Sequence, residues 1–104
     1  GGPVTVLVAD DHFVVRSGLV ASLSLEPDLA VVAESDGAGC ADLYRAHRPG
    51  VVLMDLRLGD GPDGIALTAQ LLAEHPAARV VVFSTFARDE DVYRSVRAGV
   101  RGYL

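Results

Sequence analysis

Three aspartates and a pair of hydroxyls are the residues of this sequence best placed to do chemistry. Asp10 and Asp11 follow directly on the apolar run Val4–Ala9, Asp55 follows Val51–Met54, and Ser84-Thr85 follow Val80–Phe83. If those runs are parallel strands, their carboxyl ends share one rim, and carboxylates far apart in the chain converge there. Two carboxylates about 5 Å apart repel by roughly 3 kcal/mol at an effective dielectric of about 20. Three of them must share protons or hold a cation. Hard oxygen donors with several waters suit Mg2+, which favours sites completed by a phosphoryl group. A plainer reading makes Asp10 and Asp11 a strand-end turn and a helix cap, where aspartate is favoured. That accounts for one capping aspartate, but less well for a pair plus a third at another strand end.

The elements that must position these groups are legible in the hydropathy pattern. Apolar runs at Val4–Ala9, Leu29–Ala33, Val51–Met54 and Val80–Phe83, with a short last one at Tyr103-Leu104, are continuous and rich in valine. Such runs suit strands buried on both faces. Segments with helical spacing lie between them. His12 to Leu25 carries Val15, Leu19 and Leu23 at four-residue intervals and stops before Pro27. Gly39 to His47 puts Cys40, Leu43 and Tyr44 on one side and ends before Pro49. Asp63 can cap a third helix, whose Leu67, Leu71 and Leu72 face one way until Pro76. A fourth starts acidic (Asp89, Glu90, Asp91) and ends basic (Arg94, Arg97), with Val92 and Val96 as its apolar ridge and Gly99 closing it. That charge order is the one the helix dipole prefers. Strand–helix alternation of this kind predicts a doubly wound α/β domain, a parallel sheet with helices on both faces.

Composition narrows the function classes. A chain of 104 residues is one domain, and a hydrophobic fraction of 50% against 22% charged residues excludes disorder. No apolar run approaches the ~18 residues of a membrane helix, and the start lacks a signal-peptide pattern. The single cysteine, Cys40, can form neither an internal disulfide nor a thiolate metal site, so a reducing, cytoplasmic setting is expected. A formal net charge of −5 argues against this domain gripping nucleic acid by itself. All 9 basic residues are arginines, so lysine is absent. Gly1-Gly2-Pro3 reads as a processing or cloning remnant, leaving residues 4–104 as the domain.

Four motifs in register with the strand ends carry a family resemblance. Val-Leu-Val-Ala-Asp10-Asp11-His12, Val-Val-Leu-Met-Asp55-Leu-Arg-Leu, Val-Val-Val-Phe-Ser84-Thr85-Phe86 and Ala98-Gly99-Val-Arg-Gly102-Tyr103-Leu104 together resemble a response-regulator receiver domain of two-component systems. The opening, with Arg16-Ser-Gly18-Leu19, is similar to the NarL/FixJ subgroup. The resemblance runs from Val4 to Leu104 and implies a flavodoxin-like five-stranded sheet of order 2-1-3-4-5. It implies that Asp55 accepts a phosphoryl group from a sensor histidine kinase. Mg2+ would be ligated by Asp11 and Asp55, by Asp10 through water, and by the backbone carbonyl of Arg57. Ser84 would hydrogen-bond a phosphoryl oxygen, Thr85 would contact the cofactor, and Tyr103 would be the aromatic that changes rotamer on phosphorylation. Phosphate would then favour one of two conformations of the last two strands and the fourth helix. Arg57 and Phe86 fall where family members vary, and there they tune the lifetime of the phosphoryl group. A C-terminal helix-turn-helix effector is implied beyond these residues, so that DNA is a partner of the whole protein and the output is transcriptional.

Two departures from the family pattern stand out. Gly59 holds the place of the usual proline after the acceptor aspartate, and Asp63-Gly64 arrives one residue late, so a rearranged loop with the same start is expected. The family's lysine after the fifth strand, and its final helix, would fall just past Leu104, which reads as a receiver truncated at its C-terminus. Loss of that helix would bare an apolar sheet face and allow a homodimer, and loss of the lysine would weaken phosphoryl transfer. Two other readings remain open. One is a pseudo-receiver, an interaction module that keeps the fold without being phosphorylated. The other is a Mg2+-dependent phosphohydrolase, which needs a general acid two residues after its nucleophile. Arg57 follows Asp55 and His12 follows Asp10 at that spacing, and neither is an aspartate.

Several residues tempt without joining the site. His12 reads as a polar residue at a helix start, with no second histidine near it to complete a metal set. His47 and His75 read as helix C-terminal residues, Cys40 as a small buried side chain, Asp60 and Asp63 as turn residues, and Asp89-Glu90-Asp91 as a solvated helix start.

Overall fold

The computed structural model describes residues 2–55 and 64–83, together with the strand position of 102–103. Strand and helix alternate through them: β1 (Val4–Ala9), α1 (Phe13–Ser24), β2 (Leu29–Ser35), α2 (Cys40–His47), β3 (Val51–Asp55), α3 (Gly64–Glu74), β4 (Val80–Phe83) and β5 (Gly102–Tyr103). The strands form one sheet in the order β2-β1-β3-β4-β5, and every neighbouring pair is parallel. This is the doubly wound, flavodoxin-like architecture expected from the sequence.

The chain direction explains which helix covers which face. The step from β1 to β2 runs one way across the sheet, whereas those from β2 to β3 and from β3 to β4 run the other. Because parallel crossovers are right-handed, α1 lands on one face and α2 and α3 on the opposite one. Side chains alternate accordingly along the strands. Leu7 and Ala9, Val52 and Met54, Val80 and Val82 form one buried cluster with Cys40 and Tyr44 of α2 and Ile65, Leu67 and Leu71 of α3. Val6 and Val8 are buried on the other face, where α1 rests on β1 and β2. Each fully buried leucine or methionine of this kind stabilises the fold by roughly 1.5–3 kcal/mol.

The boundaries differ from the sequence reading in small ways that have local causes. β2 continues past Ala33 to Ser35, whose carbonyl accepts the Asp10 amide at 2.9 Å and prolongs the β1–β2 pairing. Val6 pairs with Val31 but Leu7 with Ala33, so Val32 is an extra residue that bulges β2. β3 includes Asp55, and β5 is Gly102–Tyr103 rather than Tyr103-Leu104. His12 and Leu25 cap α1 rather than belong to it, and Gly39 caps α2 at φ 75°, a left-handed conformation that glycine adopts without strain. The expected ridge of α1 is the weakest among the described helices. Leu19 and Leu23 are half-buried, Val15 is 49% exposed, and no residue of α1 is fully buried.

No helix among the described residues is long and apolar enough to cross a membrane. The Asp63 cap, the fourth helix from Asp89 to Gly99, and the candidate site residues Arg57, Ser84 and Thr85 lie outside the described residues. Of Tyr103, only its place in β5 beside Val82 is described.

Candidate functional site

Strand order reverses between β1 and β3, and a crevice opens at such a switch point beyond the carboxyl ends of the strands. Register decides which residues meet there. Ala9 pairs with Met54, so Asp10 and Asp55 leave adjacent strands at the same height. One ligand atom from each of Asp10, Asp11, His12 and Asp55 lies within 4.8 Å of all the others. Asp10 is completely buried and Asp55 nearly so, whereas Asp11 is half-buried and the His12 ring is largely exposed. The structure therefore brings together the three aspartates singled out in the sequence.

The turn leaving β1 builds this cluster from local hydrogen bonds. Asp10 Oδ1 accepts the His12 backbone N–H at 2.8 Å, an Asx turn that bends the chain sharply away from the strand. The bend swings the His12 ring back over the acids. Its Nδ1 lies 3.0 Å from Asp10 Oδ1, 3.1 Å from Asp11 Oδ1 and 3.5 Å from Asp55 Oδ2. The hydrogen bond to Asp10, followed by the charge of Asp11, holds the imidazole pKa above its ordinary value, with smaller help from the charges of Asp10 and Asp55 and some opposition from desolvation. His12 is thus the fourth member of the cluster, a role missed in the sequence. The available signal was the Asp-x-His spacing, since an Asx turn places the second residue after an aspartate beside that carboxylate.

The turn-and-cap reading of the aspartates is only half correct. Asp10 does organise a turn. Asp11 does not cap α1: His12 occupies the N-cap position, and its own side chain makes no capping hydrogen bond. Two buried carboxylate oxygens, Asp10 Oδ2 and Asp11 Oδ1, have no hydrogen-bond partner among the described residues. Asp11 Oδ1 sits at ion-pair distance from His12 but without hydrogen-bond alignment. Leaving a buried acceptor unpaired costs about 1–3 kcal/mol, and more for a charged group. Together with the Asp55 carboxylate beside them, these two oxygens match the donor set that Mg2+ prefers, so the residues present fit that ion.

The other reactive side chains behave as core and surface groups. Cys40 is buried, and burial pushes its thiol up to about 11. His47 ends α2, and the His75 ring packs 4.7 Å from that of Tyr44 while its Nδ1 meets Arg48 at 2.9 Å.

Comparisons with known proteins agree with this geometry. The family model described as response regulator receiver domain matches residues 6–104. The transcriptional regulatory protein LiaR of Bacillus subtilis (strain 168) is 40% identical over 102 residues, covering 97% of this chain and 48% of LiaR. The response regulator protein VraR of Staphylococcus aureus (strain NCTC 8325 / PS 47) is 38% identical over 103 residues, with the same shares. The chain thus spans about half the length of these curated relatives. Among solved structures, the signal receiver domain of a NarL response regulator from Mycobacterium tuberculosis superposes with a TM-score of 0.91 at 36% identity, covering 100% of this chain and 84% of that one. A LuxR-family two-component response regulator from Aurantimonas sp. SI85-9A1 gives 0.90 at 34%, covering 98% and 73%. A parallel sheet of order 2-1-3-4-5, an acidic crevice at its switch point and a family match over nearly the whole length lead to one assignment: the chain belongs to the response regulator receiver domain family.

Proposed function

We propose that residues 4–104 act as a phosphoacceptor switch, in which Asp55 takes a phosphoryl group from a sensor histidine kinase in the cytoplasm. The observation that carries this reading is the meeting of Asp10, Asp11 and Asp55 at the switch point, with Asp10 Oδ2 and Asp11 Oδ1 buried and without hydrogen-bond partners among the described residues. A carboxylate can serve as a nucleophile and split one transfer into two. Asp55 attacks phosphorus, the bond from phosphorus to the donor imidazole breaks, and that imidazole leaves with its electron pair. Asp10, Asp11 and Asp55, with the Arg57 carbonyl, would hold Mg2+. When bound, this ion offsets the charge on the transferring group, which is most of what phosphoryl transfer asks of a protein. Ser84 would bond a phosphoryl oxygen, Thr85 would contact the cofactor, and Tyr103 in β5 would report the change. The similarity to a transcriptional regulatory protein and a response regulator protein supports a regulatory role and counts against the phosphohydrolase reading. It also supports transcriptional output through a DNA-binding effector outside these residues.

The test uses the full-length protein. Acetyl phosphate or beryllofluoride with Mg2+ should modify it, and Asp55→Asn should abolish the effect. No Mg2+-dependent response in the intact protein would instead favour the pseudo-receiver reading.

A further inference from the structure

Arg16 is the one cation drawn from α1 to the strand end that carries the acidic turn. Its side chain is only 16% exposed, little for an arginine on a helix none of whose residues is fully buried. Nη1 donates to the backbone carbonyl of Asp10 at 2.6 Å, and Nε donates to Glu34 Oε1 on β2 at 3.2 Å. The Arg16 amide bonds the His12 carbonyl at 2.8 Å, so this side chain rises from the first turn of the helix that the Asx turn begins. The backbone of Asp10 is therefore held on both sides of its Cα, its N–H by the Ser35 carbonyl and its C=O by the guanidinium.

We infer that Arg16, oriented by Glu34, is a positioning residue for cation binding: it locks the Asp10–Asp11 turn so that both carboxylates face the crevice. The inference rests on the phosphoacceptor reading and adds to it a residue that touches neither cation nor phosphoryl group. The physical argument concerns one rotatable unit. Asp10 and Asp11 follow the last paired residue of β1, and the peptide between them carries the Asp10 carbonyl that Arg16 holds. Rotating that peptide would move the Asp11 carboxylate and break the Arg16 bond together. Arginine suits the task because its planar fork can bond a carbonyl and a carboxylate at once. Lysine would keep the charge but has a single nitrogen with which to reach both acceptors. Glu34 is partly exposed, so it serves to aim the guanidinium, and an exposed pair of this kind adds little stability by itself.

Charge and geometry make opposite predictions, which allows them to be separated. As a bare positive charge, Arg16 would repel Mg2+, and its removal would tighten binding. As a positioning residue, its removal would loosen binding. The double variant Arg16→Met/Glu34→Gln removes the brace without changing net charge.

The experiment measures the Mg2+ dependence of acetyl-phosphate labelling at Asp55 in the full-length protein. For both Arg16→Met and the double variant, the Mg2+ concentration at half-maximal rate should rise by about 10-fold, the usual size of an outer-shell effect on metal binding. The rate at saturating Mg2+ should stay near that of the wild type. Arg16→Lys and Glu34→Gln, which perturb the fold least, should give smaller shifts in the same direction, and direct Mg2+ titration by calorimetry should rank the variants alike. Thermal melts keep the result readable if Arg16→Met fails to fold, because the two milder variants then carry the test. An unchanged or lowered Mg2+ requirement in a wild-type background that labels normally would overturn the positioning role alone. A wild-type protein with no Mg2+-dependent labelling would overturn the phosphoacceptor reading, and this inference with it.

Discussion

Replacing Asp55 by asparagine should stabilise the metal-free protein while removing most of its response to Mg2+. The carboxylates of Asp10, Asp11 and Asp55 offer oxygens within 4.8 Å of one another. At that separation and an effective dielectric of about 20, each like-charged pair repels by roughly 3 kcal/mol. Asp55 faces two such neighbours. The His12 imidazole, 3.5 Å from Asp55 Oδ2, and water reaching the partly exposed Asp11 offset much of that repulsion. A net gain of about 1–2 kcal/mol on removing the Asp55 charge is therefore expected, since screening leaves only part of the Coulomb term. Asparagine keeps the size of the side chain and one carbonyl acceptor, so the surrounding packing is undisturbed. In a domain of this length each kcal/mol moves Tm by about 4–8 °C. Mg2+ at about 100 times its Kd should add about 2.7 kcal/mol to the wild type and far less to the variant, which lacks one ligand. Far-UV circular dichroism melts with and without Mg2+ measure both effects, and they suit a chain without tryptophan. A lower Tm for Asp55→Asn in metal-free buffer would refute the electrostatic argument. Equal stabilisation of both proteins by Mg2+ would refute the assignment of Asp55 as a ligand.

Two further predictions concern the scaffold. Leu71 is 1% exposed in the cluster between α3 and the sheet, so Leu71→Ala should cost about 2–5 kcal/mol in urea unfolding, whereas Gln70→Ala on the exposed side should stay within about 0.5 kcal/mol. Cys40, whose thiol is raised from 9.0 to about 11 by burial, should react with iodoacetamide at pH 8 only when the fold opens. The folded state then holds the thiol proton more tightly than the unfolded chain does. The contribution of Cys40 to stability is accordingly full below pH 9 and falls as pH rises from 9 through 11, and Cys40→Ala should abolish that part of the decline in denaturant titrations over this range.

What the sequence by itself determined was the element order and the rim. Strands buried on both faces leave uninterrupted valine runs, and Val4–Ala9 and Val80–Phe83 match β1 and β4 residue for residue. The polar residue after such a run must stand at a strand end, so Asp10 and Asp55 were legible as rim residues without coordinates. Helix faces were legible where they meet the centre of the sheet, as for Cys40 and Tyr44 or Leu67 and Leu71, because full burial imposes a strict period. They were less so for α1, which lies over β1 and the edge strand β2 and buries none of its residues fully.

Only the tertiary structure decided how the acids meet and what holds them. The pairing of Ala9 with Met54 is a matter of register between strands more than 40 residues apart, and hydropathy is silent on register. The same holds for Arg16 and Glu34, which come from a helix and a strand 18 residues apart and meet over a backbone carbonyl that leaves no mark in the sequence. His12 stands at the helix start that its type suggests, and the Asx turn at Asp10 additionally delivers its ring to the carboxylates. Local pattern reports what each residue prefers. Distances of about 3 Å between side chains are set by strand register and turn geometry, which depend on the fold as a whole.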